Sequence, residues 1–350
     1  MNKRNGLISM MKFIFAIIIV LFHGNSIKGE NKFLIAYNGY ICVEFFFIVS
    51  GYFFAKLVER DWNKKTNIYK DNVNIIIRKL KKFLPFTIVA SAILIVIKLL
   101  FNEISMGNIF LSVFNTFLVD MSGMITYRIN IPVWYLSALL ISMFILYPII
   151  RKNKEKYIYY FAPLIVLFGA GYINNNFTNL DVWNNKWNLF ISAGLVRSMM
   201  DINIGILIYF FIKNIQEKIE KISTKGKIIL NIVTFLLYSF FFCFIFFYER
   251  TGKLDFFALL IISLSTLLSF SGVIYDKFLN NKFVYYLEKL SLPIFINHFI
   301  FKDIFNKMGS SNNYKFIFLL IIYVLSSVVF SMLELKIMDL IKKRRVKKIC

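Results

Sequence analysis

Cysteine is almost absent. Cys42 and Cys243 lie inside apolar runs and Cys350 ends the chain, so neither a disulfide framework nor a metal-ligand spacing can be assembled from them. Histidine is scarcer still, with two in 350 residues. No HExxH or GxSxG pattern occurs, which removes the zinc-hydrolase and serine-hydrolase readings. Charged residues make up only 17%, below the share of an average soluble domain. No internal repeat, domain-sized linker or extra soluble domain is visible. Lys3 and Arg4 precede an apolar stretch as in a signal peptide, but no small-x-small cleavage site follows, so the first run reads as an uncleaved span.

What fills the chain is hydrocarbon. Hydrophobic residues reach 58% and the mean hydropathy is +0.65, values that make the bilayer the natural solvent. Apolar runs of about 20 residues, the length that crosses a hydrocarbon core, lie near 8–26, 35–57, 84–101, 131–150, 157–173, 188–213, 228–248, 254–272, 284–304 and 315–338. They are continuous rather than alternating, which excludes a barrel. The expectation is an all-α integral membrane protein, one bundle of about ten transmembrane helices with a basic tail at 339–350.

The net charge of +23 could suggest nucleic acid, but the basic residues sit in short loops between apolar runs and form no continuous face, so no nucleic-acid partner is expected. Their use is topological. The loop from Arg60 to Lys82, the RKNKEK turn at 151–156, the 213–227 linker and the terminal KKRRVKK all follow even-numbered spans, which places both termini in the cytoplasm. Two stretches fit no simple crossing. Ile104 to Met124, broken by Asn108, Asn115, Asp120 and Gly123, reads as interfacial or re-entrant on the outer side. Tyr69 to Lys82, where isoleucines interleave with Arg78, Lys79, Lys81 and Lys82, suits an amphipathic helix on the inner leaflet.

Ionisable groups inside a span are costly, so each is paired or functional. Lys12, His23, Glu44, Lys98, Arg197, Asp201, Lys289, His298 and Lys302 qualify. The two histidines fall near the outer ends of spans one and nine, at similar depth. An imidazole poised near neutral pH can take a proton from a hydroxyl and return it to a leaving group, although a lone helix-end histidine also serves as a plain hydrogen-bonding group. Lys12 precedes His23 by eleven residues, about three turns and about 16 Å of rise, on one face of the helix. Such a helix would suit a long donor such as acyl-CoA, its phosphates held inside and its thioester reaching outward. Snorkelling is the alternative for Lys12.

Six segments occur in the order seen in one family. They are Met11–His23 (MKFIFAIIIVLFH), Val43–Tyr52 (VEFFFIVSGY), the run to Pro85 (RKLKKFLP), Trp134–Leu139 (WYLSAL), Arg197–Gly205 (RSMMDINIG) and Leu290–His298 (LSLPIFINH). The chain thereby resembles the acyltransferase-3 family of bacterial membrane O-acyltransferases. The resemblance implies transfer of an acyl group, commonly acetyl from acetyl-CoA, to a hydroxyl of an envelope polysaccharide or lipid-linked glycan at the bacterial cytoplasmic membrane. It implies His23 as the essential histidine, with Lys12 where the family carries arginine; the substitution keeps the charge and loses the guanidinium fork.

Glu44 stands at the family's acidic position, and two roles are open: orienting His23, or pairing with a cation such as Arg197. Asp201, four residues beyond Arg197, could pair with that arginine on its own helix and leave Glu44 free. Arg78, Lys81 and Lys82 fall where relatives carry arginines and would attract the phosphates of CoA, or lipid headgroups. Trp134 and Tyr135 open span four beside Arg128 and Pro132, as belt aromatics or as a stacking surface for sugar; Arg197 and His298 complete the expected substrate contacts. Ser50 and Gly51 read as close-packing residues, and no metal is expected. The external loops 102–130 and 174–187, or a partner, are left to recognise the acceptor. A glycan or lipid-linked-precursor transporter and a non-catalytic envelope anchor are the competing readings; within the family, succinyl or another short acyl group and a non-glycan acceptor are alternatives.

Overall fold

The computed structural model describes residues 4–28, 34–123, 127–184, 192–249, 252, 254–274, 277–310 and 312–347. Among them the chain is helical, with no β-strand. In order, the helices are α1 (Gly6–Gly24), α2 (Cys42–Asp61), α3 (Ile68–Leu100), α4 (Met106–Thr116), α5 (Val133–Lys152), the one-turn α6 (Lys154–Lys156), α7 (Ala162–Asn176), α8 (Ala193–Asn214), the short α9 (Gln216–Glu220), α10 (Thr224–Phe247), α11 (Asp255–Phe270), α12 (Lys282–Met308) and α13 (Asn313–Lys347). A π-helical turn, Tyr157–Phe161, joins α6 to α7.

Helix starts follow from local chemistry. The side chains of Asn5, Asn67, Ser105, Ser192, Ser223 and Asn281 each accept a hydrogen bond from a first-turn N–H, satisfying donors that lipid could not. Inside the spans, the hydroxyls of Thr234, Ser263, Ser265, Ser269, Ser327 and Ser331 donate to the carbonyl one turn back, so these polar groups carry no unpaired donor.

Eight helical segments among the described residues are long and apolar enough to cross a membrane: Gly6–Ile27, Gly39–Asp61, Ile68–Leu100, Val133–Lys152, Lys154–Asn176, Ala193–Asn214, Thr224–Phe247 and Asn313–Arg344. The runs near 254–272 and 284–304 become α11 and α12. The first has 16 residues, and the second has 27 but holds Glu288, Lys289, Lys302 and Asp303. Helices α2, α5 and α8 are the most buried and form the centre; α3, α7, α10 and α13 are peripheral and turn large apolar side chains such as Val96, Phe168, Phe235 and Phe318 outward, as lipid contact requires.

Two helix pairs fix the arrangement. Lys12 meets Glu288 and His23 meets His298, so α1 and α12 run in the same direction. Likewise Glu44 meets Arg197 and Glu59 meets Lys213, so α2 and α8 are parallel. If α1 and α12 both cross, an odd number of crossings separates them. With α11 counted, α2, α3, α5, α7, α8, α10 and α11 make that number odd. The α2–α8 contact is close because Gly51 and Gly205 lie at the crossing: a Cβ on Gly51 would come 2.1 Å from the Ile202 carbonyl oxygen, and one on Gly205 2.0 Å from that of Ile48. Small residues at such a crossing let backbones approach.

One expected element is corrected. Tyr69 to Lys82 is no separate surface helix; it is the first part of α3, 33 residues long and thus about 50 Å, well beyond the hydrocarbon thickness. Pro85 does not break it. The Thr87 hydroxyl reaches both Leu84 O at 3.2 Å and Thr116 O at 3.1 Å, linking the helix where the proline removes a bond to the end of α4. The stretch from Ile104 to Met124 forms the 11-residue α4 and a 3-10 turn, Asp120–Ser122; α4 is too short to cross.

Candidate active site

The parallel α1–α12 pair places two polar sites at its two ends. At one end the His23 and His298 rings stack, with centroids 5.2 Å apart and planes at 28°. Phe299 wedges against both, 5.0 Å from each. His298 is fully buried. Its Nδ1 lies 3.3 Å from the Ile294 carbonyl oxygen, which assigns the proton to Nδ1, and its Nε2 has no hydrogen-bond partner among the described residues. His23 is half-buried and lines a cavity of about 50 Å³ together with Tyr40, Trp134, Asp181, Trp183 and Arg197.

Around that cavity, the Arg197 guanidinium grips Glu44 with two bonds, Nε to Oε1 at 3.0 Å and Nη2 to Oε2 at 2.5 Å, and Nη2 also donates to Tyr40 O at 3.0 Å. Both side chains are fully buried. The pair therefore exchanges a large desolvation cost for two-pronged bonding. Arg197 further lies over the Trp134 ring, 5.6 Å from its centroid, and Trp134 stacks on Trp183 at 6.4 Å. Two loops meet here: Arg128 pairs with Asp120, donates to Asn184 Oδ1 at 2.7 Å and sits over Trp183. Burial holds the Asp120 carboxyl above its usual range, even though the Arg128 guanidinium acts to lower it. Of the loop expected at 174–187 to recognise an acceptor, Asp181 and Trp183 line the cavity; residues 185–187 lie outside the described ones.

At the other end Lys12 Nζ is 2.6 Å from Glu288 Oε1, and the Ser9 hydroxyl donates to Glu288 Oε2 at 2.7 Å. Lys79 and Lys82 on α3 lie within electrostatic reach of Lys12, and Lys82 also of Glu288 and Lys342. Lys12 and Lys82 thus share the Glu288 carboxylate while Lys79 and Lys342 stand within reach of that pair, which leaves this end positive.

Several expected roles change. Of the two roles open for Glu44, the structure shows the pairing with a cation: both its oxygens are on Arg197. Asp201 does not pair with Arg197; neither of its carboxylate oxygens has a hydrogen-bond partner among the described residues. Tyr135 does not line the cavity. It is buried against Phe47 at 4.5 Å and Phe295 at 5.5 Å, its hydroxyl 3.4 Å from Ser50 Oγ, because the helix turn that points Trp134 inward rotates its neighbour toward α2. Arg78 and Lys81 are exposed, and among the described residues no contact joins either to the lysine group; Lys82 belongs to it. Lys12 lies at the end of α1 away from His23, with Glu288 as its counter-ion.

Sequence reading missed Glu288, Lys79, Asp181 and Trp183. Glu288 carried a usable signal, an acid inside the run 284–304, whereas Asp181 and Trp183 sit in an irregular loop with no periodicity to mark them. What the geometry offers is an imidazole at the wall of an aromatic-lined cavity and a cationic patch about 16 Å along the same helix.

The acyltransferase-3 family model, described as an acyltransferase domain, matches residues 5–333. No curated protein and no solved structure matches the chain. The match takes in both ends of the α1–α12 pair and nearly every helix between and after them, so the chain belongs to the acyltransferase-3 family and is a membrane acyltransferase.

Proposed function

We propose that the protein moves an acyl group, acetyl from acetyl-CoA, to a hydroxyl of an envelope or exported polysaccharide, or of its lipid-linked precursor, at the bacterial cytoplasmic membrane. The observation that carries this reading is the position of His23: its ring lies on the cavity wall between Tyr40, Trp134 and Trp183, while the lysine group occupies the other end of its own helix. Indole faces stack on sugar rings, and the imidazole is placed to meet a hydroxyl held there.

In the proposed reaction His23 takes the proton of the acceptor hydroxyl as its oxygen attacks the thioester carbonyl. The tetrahedral intermediate collapses with cleavage of the carbon–sulfur bond, and the imidazolium returns the proton to the leaving thiolate, so atoms and charge balance. Lys12, Lys79 and Lys82 would hold the phosphates of CoA from the cytoplasmic side. That side is supported by the basic loops after even-numbered spans, with both termini inward. Glu44 acts by holding Arg197, and Arg197 by holding Trp134, which makes both positioning residues. On α1 the cavity lining runs from Ile19 to His23, one turn.

The test is mass analysis of surface glycans from cells with and without the protein. Loss of one acyl mass per modified sugar supports the reading and names the group, and identical glycans contradict it.

A further inference from the structure

Beyond the stacked histidines, α12 continues outward for ten residues and carries Lys302, Asp303 and Lys307. With Lys98 and Glu103 from the α3–α4 region they form one charge network. Lys98 pairs with Asp303 at 3.0 Å and approaches Glu103 at 3.8 Å, and Lys307 pairs with Glu103 at 2.7 Å. Three lysines share two carboxylates, and Lys302 is the one left over: among the described residues it has no hydrogen bond and no ion pair. Its ammonium lies instead over the Phe299 ring, 4.3 Å from the centroid, and it is only half-exposed.

That ring is the one wedged against His23 and His298, so the Lys302 ammonium stands within about 9 Å of the His23 ring. It is also one helical turn, about 6 Å, beyond His298 on the same helix face. A lysine part-way out of water on an aromatic face gains some cation–π attraction, but Asp303, the acid within its electrostatic reach, is bonded to Lys98, and a cation in a membrane helix with no direct ion pair marks a binding position.

We infer that Lys302 is an anion subsite for the acceptor, so that the glycan acylated here carries a carboxylate or phosphate within one sugar of the reacting hydroxyl. The inference deepens the proposed function, from a hydroxyl acceptor in general to an acidic one. Carboxylate and phosphate share the chemistry that a lone ammonium recognises, a compact oxyanion.

The full chain, purified in detergent at fixed ionic strength with saturating coenzyme A to fill the donor lysines, would be melted with rising concentrations of inorganic phosphate, galacturonate or galactose, since a ligand of the native state raises the Tm by an amount that grows with the ratio of its concentration to its Kd. The expected result is a shift with phosphate or galacturonate, whichever class the site takes, and none with galactose. Lys302→Met, which keeps the stem against Phe299, should need at least tenfold more anion for the same shift. Lys302→Arg and the control Lys307→Gln should titrate like the parent. Anion shifts equal in the parent and Lys302→Met, or absent from the parent, overturn the inference. His23→Ala is expected to keep the anion titration while losing acyl transfer, so a failure of the acyltransfer reading and a failure of the subsite are told apart.

Discussion

Lys12 and Glu288, 2.6 Å apart and 276 positions apart in sequence, lock α1 to α12 at the end opposite the stacked histidines. The pair matters because it sets the register that brings His23 against His298. It also spreads negative charge among lysines that would otherwise repel one another. Each side chain is about a fifth to a quarter exposed, 19% and 26%, so the contact is part-way between a surface pair and a buried one. Its loss should cost about 1–2 kcal/mol.

Lys12→Ala is therefore expected to lower the Tm by a few degrees and to raise the KM for acyl-CoA about tenfold with kcat little changed, the pattern of lost ground-state binding. Steady-state kinetics on purified protein checks it; an unchanged KM removes Lys12 from the donor site and leaves it structural.

The Glu44–Arg197 pair is fully buried, and removing one partner strands a charge. Glu44→Gln and Arg197→Met should each destabilise by about 3–5 kcal/mol, seen as lower folded yield and Tm in detergent. If Glu44 instead oriented His23, Glu44→Gln would keep its Tm and lose activity alone.

Gly51→Leu and Gly205→Leu should separate α2 from α8, since even a Cβ would fall about 2 Å from a backbone carbonyl that cannot move aside. Gly171→Leu is the matched control, because nothing lies within 4 Å of its added Cβ. Thermal melting should show large losses for the first two and little change for the third; equal effects would contradict the close crossing.

Trp183→Ala and Trp134→Ala should raise the acceptor KM with a smaller effect on the donor KM, because both rings line the cavity that holds His23. A shift confined to the donor would place the aromatic wall on the wrong substrate.

The bundle was legible because its cause is local: apolar runs of span length and basic loops are properties of consecutive residues. His23 was singled out by the family resemblance; its place at the outer end of a span, taken alone, also fitted a plain hydrogen-bonding group. What the sequence could not settle was which helices touch. Two roles were open for Glu44, orienting His23 or pairing with a cation such as Arg197, and the i,i+4 spacing offered that arginine Asp201 instead. The choice falls to Glu44 because the glycine crossing draws α2 against α8, a contact between segments about 150 residues apart. Lys12–Glu288 is non-local in the same way. Trp134 and Tyr135 shared one belt reading until the rotation of α5 put the first in the cavity and the second against Phe47. Amphipathic periodicity in Tyr69–Lys82 suggested a surface helix separate from the run near 84–101; the Thr87 contacts with Leu84 and Thr116 carry α3 through Pro85.

Proton transfer is the role proposed for the imidazole at position 23. Acyl transfer from radiolabelled acetyl-CoA to envelope glycan, measured in membranes containing equal amounts of parent protein and His23→Ala, tests it directly. The variant is expected to fold with an unchanged Tm and to lose at least 100-fold in rate, as when a general base is deleted. Transfer at the parental rate by equally expressed His23→Ala would contradict that role.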